Sequence, residues 1–497
     1  MATYGATLIR VVTTEIMKPI KPLKCVFRGF LYGLYKIGEI SMDFKKQIEN
    51  NIDPLIEDIS AVCQINSVEG EPLPGMPFGE GPAKALEAML DIGEAMGFRT
   101  ENFDNYVGHI EMGEGEEILG ILGHVDVVPA GEGWEHDPWG STIVDGKMYG
   151  RGVLDDKGPV LTCLYAMKIL KDMGVELNKR VRVILGTNEE TDWKCMAYYL
   201  NEVKPELPVI AFSPDSDFPV TYAELGLLQY TLTRNISETL EIEGGNAFNS
   251  VPSKASVTLD EKYTEALEKA VGEAEDPAMF TVEKADGKVI LRALGVGAHA
   301  AHLQEGKNAL THMVSVISKL PLEGELKEIV DFINGHFGTC LYGEKMGIAC
   351  SDEDCGPLTL NLGKIEAKDG KLVLCCDSRI PVSFTVDSIE EKVKSKMAGT
   401  GYEYERVATE RPLYVPKDSE LVQTLMDVYR KVTGDIESQP QSSGGATYSR
   451  TIDNCVAFGA LLPDQEDTMH QANEYLELDK LKVWLEIYLE AIYRLAK

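Results

Sequence analysis

The sequence has 497 residues, of which 44% are hydrophobic, and this is enough apolar material for two globular domains. Eighty acidic residues against 48 basic residues give a formal charge of -32, which repels phosphate backbones and argues against a nucleic-acid partner. No run of 18 or more uncharged apolar residues occurs in the sequence, so we expect no membrane span.

The first 41 residues differ from the rest of the chain in charge. They carry basic side chains such as Arg10, Lys18 and Arg28. Charges and prolines interrupt their apolar positions, whereas a signal peptide needs a continuous apolar core. An amphipathic helix is predicted to start at Met42, and we therefore interpret residues 1–41 as an N-terminal extension.

Three apolar runs predict buried strands that alternate with helices. They are EEILGILGHVDVVP from Glu116, VRVILGT at 181–187 and LPVIAFSP at 207–214. Between them, residues 158–174 have helical periodicity and end at a glycine. This alternation is typical of an α/β fold, in which functional side chains gather at the carboxyl ends of the strands.

The pattern changes after about residue 225. Alternating strand patterns such as LQYTLTRNI and KVILRALG are interleaved with acidic helices such as residues 261–273. The first pattern resumes near Leu413, with LVQTLMDVYRKVTG as a helix and CVAFGALLP as a strand. We therefore predict an α/β domain made of residues 42–225 and 412–497, interrupted by an inserted α+β domain of residues 226–411.

Five motifs carry acidic or imidazole side chains at predicted strand ends or in loops. The motifs are GHVDVVP, GRGVLDDKG, TNEET, SPDSDFP and MHQANE, and they supply His124, Asp126, Asp155, Asp156, Glu189, Glu190, Asp215, Asp217, His470 and Glu474. His124 and Asp126 share a strand face, so the histidine can bind a metal while the aspartate holds its other ring nitrogen. Each motif alone is weak evidence, because such pairs are common in ordinary structure. Five of them in this order predict a metal site, and the mixed donor set suits zinc, with manganese or cobalt as alternatives.

The sequence resembles the zinc peptidase superfamily that contains glutamate carboxypeptidase, aminoacylase and succinyl-diaminopimelate desuccinylase. Within it, the sequence is most similar to PepV-type dipeptidases, over residue 42 to the end. The resemblance rests on GHVDVVPAGEGW, DPWGSTIVDGKMYGRGVLDDKGP, GGNAFNSVP and GAHAAH. It implies that the α/β domain is catalytic, with a two-zinc centre, and that the inserted domain is a lid that binds substrate.

The resemblance also implies the ligands of two zinc ions. His124 and Asp215 would bind one ion, Glu190 and His470 the other, and Asp155 would bridge both. Asp217 stays open as an alternative to Asp215, since both lie in SPDSDFP. A cis peptide bond between Asp155 and Asp156 is implied as well.

Further roles follow from the same likeness. Glu189 would be the general base and Asp126 the partner that orients His124. In the lid, His299 would donate to the oxyanion, Asn249 would contact the substrate, and Arg379 would clamp the free carboxylate with the help of backbone groups at Gly444 and Gly445. His302 is a rival for the role of His299, and Arg379 could instead form an ordinary surface ion pair.

We therefore expect a metallopeptidase that hydrolyses dipeptides with a free N-terminus. The alternative is an N-acyl amino acid deacylase or desuccinylase with the same centre. A binding protein without catalysis is disfavoured because the base Glu189 stands beside a complete ligand set. A serine or cysteine nucleophile is disfavoured as well, because there is no GxSxG motif and Cys195 has no histidine nearby in the sequence.

The expected setting of the protein follows from the same features. Ten cysteines without a CxxC spacing indicate reduced thiols, and we expect a soluble, cytoplasmic protein. Its partner would be a small peptide substrate, with no nucleic acid and no membrane. We expect a monomer, because the insert has room for two α+β units of about 90 residues, enough to replace the part that a second subunit contributes in smaller relatives.

Overall fold

The computed structural model describes residues 44–497. The predicted N-terminal extension and the helix start at Met42 lie outside the described residues. Ile48–Lys497 forms one compact unit, which contains both sheets and the site described below. The other unit ends at Gln47, and Phe44 in it accepts a backbone hydrogen bond from Gln47.

The part of the chain before residue 226 alternates helices and strands. Its elements are, in order, α1 (Lys45–Cys63), α2 (Glu80–Ala95), β1 (Arg99–Phe103), β2 (Val107–Met112), β3 (Ile118–His124), β4 (Thr142–Val144), β5 (Lys147–Tyr149), α3 (Lys157–Asp172), β6 (Arg180–Gly186), α4 (Lys194–Tyr198), β7 (Ile210–Ser213), β8 (Ser216–Asp217) and β9 (Thr221–Glu224). The three predicted strands and the predicted helix are confirmed. The third strand is shorter than its apolar run, because Leu207 and Val209 precede it and are 45% and 47% exposed.

The next part of the chain is richer in long antiparallel strands. Its elements are β10 (Gly226–Asn235), β11 (Ile242–Gly244), β12 (Lys254–Asp260), α5 (Thr264–Gly272), β13 (Phe280–Ala285), β14 (Lys288–Leu294), α6 (Ala309–Ile317), α7 (Gly324–His336), β15 (Ser351–Asp352), β16 (Gly356–Pro357), β17 (Thr359–Lys368), β18 (Lys371–Ile380), α8 (Val386–Met397) and β19 (Glu403–Glu410). A short 3-10 helix, Ala300–Glu305, lies between β14 and α6.

The end of the chain returns to short strands and long helices. Its elements are β20 (Leu413–Tyr414), α9 (Glu420–Thr433), β21 (Gln441–Ser443), β22 (Cys455–Ala457), β23 (Ala460–Leu461), β24 (Tyr475–Glu477) and α10 (Lys480–Ala496). A 3-10 helix, Tyr448–Thr451, precedes β22. Helix α10 packs against α3, and both bury most of their side chains.

The first sheet combines strands from both ends of the chain. Its order is β1-β2-β6-β3-β7-β22-β9-β20, with β21 paired to β9. Strands β6, β3, β7 and β22 run parallel to one another, so their carboxyl ends meet at one edge. Every residue of β3 is buried, as expected for a parallel strand covered on both faces.

The second sheet is antiparallel and has its own hydrophobic core. Its order is β13-β14-β12-β11-β17-β18-β10-β19, and every strand falls between Gly226 and Glu410. One face packs on helices, as the alternating burial of β10 illustrates: Leu228, Tyr230 and Leu232 join the core. The fold class, α/β with an inserted α+β part, is confirmed, while the boundaries after residues 225 and 411 stay predictions.

Strands β9 and β20 flank the inserted sheet in sequence. They are antiparallel neighbours in the first sheet, where Glu224 lies opposite Leu413. Strands β10 and β19, which begin and end the second sheet in sequence, are also neighbours, and Leu227 lies opposite Glu410. Among the described residues, no helix is long and apolar enough to cross a bilayer.

Candidate active site

Three parallel strands end beside one another and deliver the first set of predicted residues. His124 is the last residue of β3, Glu189 and Glu190 follow β6, and Asp215 follows β7. Since β3 lies between β6 and β7, these side chains start from adjacent strand ends. Asp155 lies just before α3, and His470 lies in the loop before β24.

The structure brings the five predicted metal ligands together in two groups. His124, Asp155 and Asp215 form one group, and Asp155, Glu190 and His470 form the other, with the ligand atoms of each group within 4.8 Å of one another. Asp155 belongs to both groups: its Oδ1 lies 3.0 Å from Nε2 of His124, and its Oδ2 lies 2.8 Å from Nε2 of His470. The peptide bond between Asp155 and Asp156 is cis, as the resemblance implied. Asp217 belongs to neither group among the described residues.

The electrostatics of this cluster favour bound cations. Burial, and then the charge of Asp155, raise the pKa of Asp215 well above its usual range, and the same two causes raise the pKa of Glu190. Hydrogen bonds to Asp155 and Glu190 raise the pKa of His470 to about 11. The carboxylates outnumber the two imidazoles, and Oδ1 of the fully buried Asp156 has no hydrogen-bond partner within residues 44–497. A set of imidazole and carboxylate donors with excess negative charge fits divalent metal ions such as zinc.

Asp126 contacts more than the histidine that precedes it. Nδ1 of His124 lies 3.0 Å from the backbone carbonyl of Asp126 and 3.5 Å from its carboxylate. The carboxylate accepts hydrogen bonds from the backbone N–H groups of Glu189 and Glu190, at 3.0 Å each. The residue expected to orient one ligand thus also fixes the loop that carries Glu189 and Glu190.

Glu189 lies beside the predicted metal ligands and belongs to neither ligand group among the described residues. Burial raises the pKa of its carboxyl well above the usual range, and the neighbouring acids Glu190 and Asp126 add to this effect. A carboxylate with a raised pKa accepts a proton more readily than an ordinary carboxylate.

The predicted lid residues form a second cluster. The backbone N–H of Ala300 donates to the carbonyl of Asn249 at 2.9 Å, and Ser250 pairs with His299 in an isolated bridge. Nδ1 of His299 accepts a hydrogen bond from the backbone N–H of Ala301 at 3.2 Å, which leaves Nε2 as the donor in the neutral ring. Burial, and then the charge of Arg379, lower the pKa of His299.

Arg379 is buried and not at the surface. Its Nε and Nη2 donate to the two carboxylate oxygens of Asp377, at 2.8 and 3.1 Å, and its Nη1 donates to the carbonyl of Gly444 at 2.8 Å. The alternative of an ordinary surface ion pair is therefore wrong: the ion pair exists, but its side chains are 7% and 0% exposed. One N–H on each terminal nitrogen stays available, because the guanidinium has five N–H groups.

Gly444 links the two clusters. A Cβ atom placed on Gly444 would lie 2.2 Å from Cβ of Ala301, so the loop rests directly on the segment after His299. The same loop continues through Gly445, whose carbonyl accepts a hydrogen bond from Arg450, to Tyr448, whose ring centroid lies 6.4 Å from that of His124.

Glu474 is one of the acidic residues in the five motifs, but the sequence indicated no role for it. The structure buries it completely: its Oε2 lies 2.6 Å from Nη1 of Arg151, and its Oε1 accepts from the backbone N–H groups of Gly152 and Leu154 at 3.0 and 2.9 Å. Burial raises the pKa of Glu474 to about 7. Glu474 therefore joins the loop of His470 to the segment that leads into Asp155. The GRG and NE letters were visible, but nothing in the sequence links positions that are 323 residues apart.

A second buried pair that the sequence did not indicate lies where the chain enters and leaves the inserted part. Nε of Arg450 lies 2.9 Å from a carboxylate oxygen of Glu224, and Nη1 donates to the carbonyl of Arg411 at 3.0 Å. Thr447 also donates to Glu224 through its hydroxyl. This network fixes the loop that contains Gly444 and Gly445.

Comparisons with known proteins agree with the geometry. Residues 120–494 match the model of Peptidase family M20/M25/M40. The protein named "Putative dipeptidase YtjP" of Bacillus subtilis (strain 168) is 36% identical over 472 residues, which cover 92% of this chain and 100% of the relative.

Solved structures show the same fold at low identity. The M20 family metallo-carboxypeptidase Sso-CP2 from Sulfolobus solfataricus matches with a TM-score of 0.56 and 16% identity, over 88% of this chain and 98% of that chain. The dipeptidase Dug1p from Saccharomyces cerevisiae matches with a TM-score of 0.54 and 15% identity, over 90% and 98%. The resemblance inferred from the motifs is thus confirmed, and the chain belongs to peptidase family M20/M25/M40 and is a peptidase of the hydrolase class.

Proposed function

We propose that this peptidase hydrolyses dipeptides that have a free N-terminus, and that it depends on two metal ions. The observation that carries the proposal is the pair of ligand groups that share Asp155. His124 and Asp215 would hold one ion, and Glu190 and His470 the other. Zinc fits this donor set, and manganese or cobalt would also be accepted.

Two bound zinc ions supply Lewis acidity, which makes a water molecule more acidic and polarises the scissile carbonyl group. Glu189 is the general base of the reaction: it takes the proton of the attacking water and passes it to the leaving amine. Burial and the neighbouring acids raise the pKa of Glu189, and a raised pKa favours the uptake of a proton by its carboxylate. The carboxylate of Asp126 holds Glu189 in place by accepting a hydrogen bond from the backbone N–H of Glu189. The backbone carbonyl of Asp126 orients the ring of His124.

The lid residues act on the parts of the substrate that the metals do not hold. His299 donates from Nε2 to the oxyanion that develops at the carbonyl. This assignment is favoured over His302 because Nδ1 of His299 already accepts a hydrogen bond, which fixes the tautomer. Asn249 lies next to His299 through the bridge of Ser250 and contacts the substrate from the same side.

Arg379 binds the free carboxylate of the substrate. Asp377 takes Nε and one hydrogen of Nη2, and Gly444 takes one hydrogen of Nη1. One N–H remains on each terminal nitrogen, and these two groups can donate hydrogen bonds to a carboxylate of the substrate. The carbonyl of Gly444 lies beside the guanidinium of Arg379, and backbone groups of Gly444 and Gly445 would assist in binding the carboxylate. The acid-rich metal centre would attract the ammonium group at the other end of a dipeptide.

The same contacts support action within one chain. Gly444 packs directly on Ala301 of its own chain, and the contact is too close for a side chain at position 444. We therefore propose a working monomer in which His299 serves its own metal centre. A cytoplasmic location is proposed from thiol usage, since none of the nine cysteines within residues 44–497 forms a disulfide bond.

The decisive test compares kcat/KM for a Leu-Leu dipeptide, its C-terminal amide and its N-acetyl form, in the parent and in Arg379→Ala. The dipeptide should be hydrolysed best by the parent, and the variant should lose most of its activity on the dipeptide while losing little on the amide. Removal of metal by a chelator should abolish turnover, and zinc or manganese should restore it. Equal rates on all three substrates, or a preference for the N-acetyl form, would replace the dipeptidase by a broader peptidase or by a deacylase.

A further inference from the structure

The sheet of the inserted part presents polar side chains on the face that turns away from its hydrophobic core. Asn361 on β17 lies opposite Asp377 on β18, and Thr359 lies opposite Arg379. Residues opposite each other in an antiparallel pair point to the same face, and so do residues two apart on one strand. Thr359, Asn361, Asp377 and Arg379 therefore share one face, and all four are buried.

Asn361 holds the backbone on both sides of Asn249. Its Nδ2 donates to the carbonyl of Phe248 and to the carbonyl of Ser250, at 2.9 Å each. Its Oδ1 accepts a hydrogen bond from Nδ2 of Asn308 at 3.3 Å. Both amide hydrogens are used, so the side chain has one orientation in which all its bonds are made.

The segment around Asn249 also rests directly on β17. A Cβ atom placed on Gly363 would lie 2.3 Å from the carbonyl oxygen of Ala247 and 2.5 Å from that of Phe248. A glycine is therefore needed here for the close approach of two backbones. The pairing of β17 with β18 shifts by one residue at this glycine, between Leu362 and Lys364.

Thr359 holds the segment that carries His299. Its Oγ1 donates to the carbonyl of Ala300 at 2.9 Å. The N–H of the same Ala300 donates to the carbonyl of Asn249. The two segments are thus bound to each other and to two residues on one strand, which lie about 6.6 Å apart along it.

We propose that Thr359 and Asn361 are positioning residues of the substrate site. Asn361 sets the place of Asn249, Thr359 sets the place of His299, and the register of β17 with β18 aligns both with Arg379. The inference rests on the proposed function, in which Asn249 and His299 act on the substrate. Strand β17 thus fixes the relative positions of Asn249, His299 and Arg379, which come from separate segments of the chain.

A double-mutant cycle tests the role of Asn361. Asn361→Asp keeps the shape of the side chain and replaces two donors by an acceptor that faces two carbonyl oxygens. We expect kcat/KM to fall by about 10²-fold, the loss that a displacement of about 1 Å causes in a substrate contact. In an Asn249→Ala background the same change should lower kcat/KM by less than about 3-fold, because the group through which Asn361 acts is already gone.

A conservative series tests Thr359, and it decides the question if Asn361→Asp does not fold. Thr359→Val removes the hydroxyl and should lower kcat far more than it changes KM, because the oxyanion contact forms in the transition state. Thr359→Ser keeps the hydroxyl and should restore kcat. Leu360→Ala is the matched control: it lies on the same strand, and its side chain belongs to the hydrophobic core on the other face. It should lower the Tm and leave kcat/KM within about 3-fold of the parent.

Melting temperature and metal content are measured for every variant. If Asn361→Asp and Asn249→Ala lower kcat/KM additively, the inference for Asn361 is overturned. It is also overturned if Asn249→Ala alone has the kcat/KM of the parent. A valine variant as active as the serine variant would overturn it for Thr359. The proposed function fails separately: if the parent prefers an N-acetyl amino acid to a dipeptide, the cycle and the series are run on that substrate and still decide the positioning roles.

Discussion

Replacing Glu474 by glutamine removes a buried charge that connects the loop of His470 to the segment before Asp155, two parts of the proposed metal centre. The carboxylate contacts the guanidinium of Arg151 and accepts two backbone N–H groups that precede Asp155. Glutamine has the same shape, but it turns one acceptor into a donor that must face an N–H group. We expect the variant to leave the buried cation of Arg151 without a countercharge.

The magnitude follows from burial. The side chains of Arg151 and Glu474 are 1% and 0% exposed, so solvent does not screen the pair. Removing one partner of such a pair destabilises a protein by about 3–5 kcal/mol. Since burial raises the pKa of Glu474 to about 7, the carboxyl is mostly charged at pH 8, where the measurement should be made.

The assay is urea unfolding at pH 8 in the presence of a chelator, followed by zinc titration of the folded protein in a calorimeter. The free energy of unfolding should fall by about 3 kcal/mol, and zinc should bind about 10–100-fold more weakly because the backbone beside Asp155 shifts. Glu477→Gln is the control, since its contact with Lys147 is 4.0 Å long and partly exposed, and it should change stability by less than about 1 kcal/mol. An unfolding free energy for Glu474→Gln within about 0.5 kcal/mol of the parent would refute the reasoning.

Four further outcomes are expected. Glu189→Gln should keep both metals, measured by atomic absorption, and lose at least about 10²-fold in kcat; near-parent turnover would remove it as the base. Gly444→Ala should raise KM and lower kcat with little change in Tm, because its Cβ would lie 2.2 Å from Cβ of Ala301 and force the loop away. A mixture of His299→Ala and Glu189→Gln chains should regain no activity, and recovery would show a site shared between subunits. Burial, and then the charge of Arg182, lower the pKa of His109 to about 3 from 6.5. Below about pH 6 the unfolded chain takes up a proton that the folded protein does not, so the free energy of unfolding should fall by about 1.4 kcal/mol per pH unit because of this histidine. Urea unfolding between pH 6.5 and 5 should therefore show a smaller loss of stability for His109→Leu than for the parent.

Three of the proposed metal ligands, His124, Glu190 and Asp215, could be predicted to lie together because they end or follow parallel strands. Asp155 lies just before α3, and its role came from the family resemblance. An apolar run that ends in His124, and two others that lead into Glu190 and Asp215, indicate parallel strands whose carboxyl ends meet. His470 needed the family resemblance, since its loop has no regular structure to place it. The sequence favoured Asp215 over Asp217 only because Asp215 directly follows Pro214, and among the described residues Asp215, but not Asp217, belongs to a ligand group.

The buried partners of these residues were not predictable. Asp126 was expected to hold the ring of His124, but its carboxylate also accepts two backbone N–H groups from the loop after β6. Such a contact uses backbone N–H groups, which are the same in almost every residue, so the sequence gives no sign of it. The pair of Arg151 with Glu474 is likewise a long-range contact: both residues lie in the predicted motifs, but nothing in the sequence pairs one with the other. Charge pairs of this kind are decided by tertiary packing, and composition gives no sign of them.

The pairing of β9 with β20 has an evolutionary consequence. Glu224 and Leu413 face each other in the first sheet, and Leu227 and Glu410 face each other in the second, so the inserted segment departs and returns one strand spacing apart, about 4.8 Å. A chain without the segment could join β9 to β20 by a short hairpin turn and keep every strand of the first sheet in register. The five proposed metal ligands all come from outside the segment. Changes within the inserted segment can therefore alter the proposed contacts with the substrate while the strands that carry the proposed metal ligands stay in register.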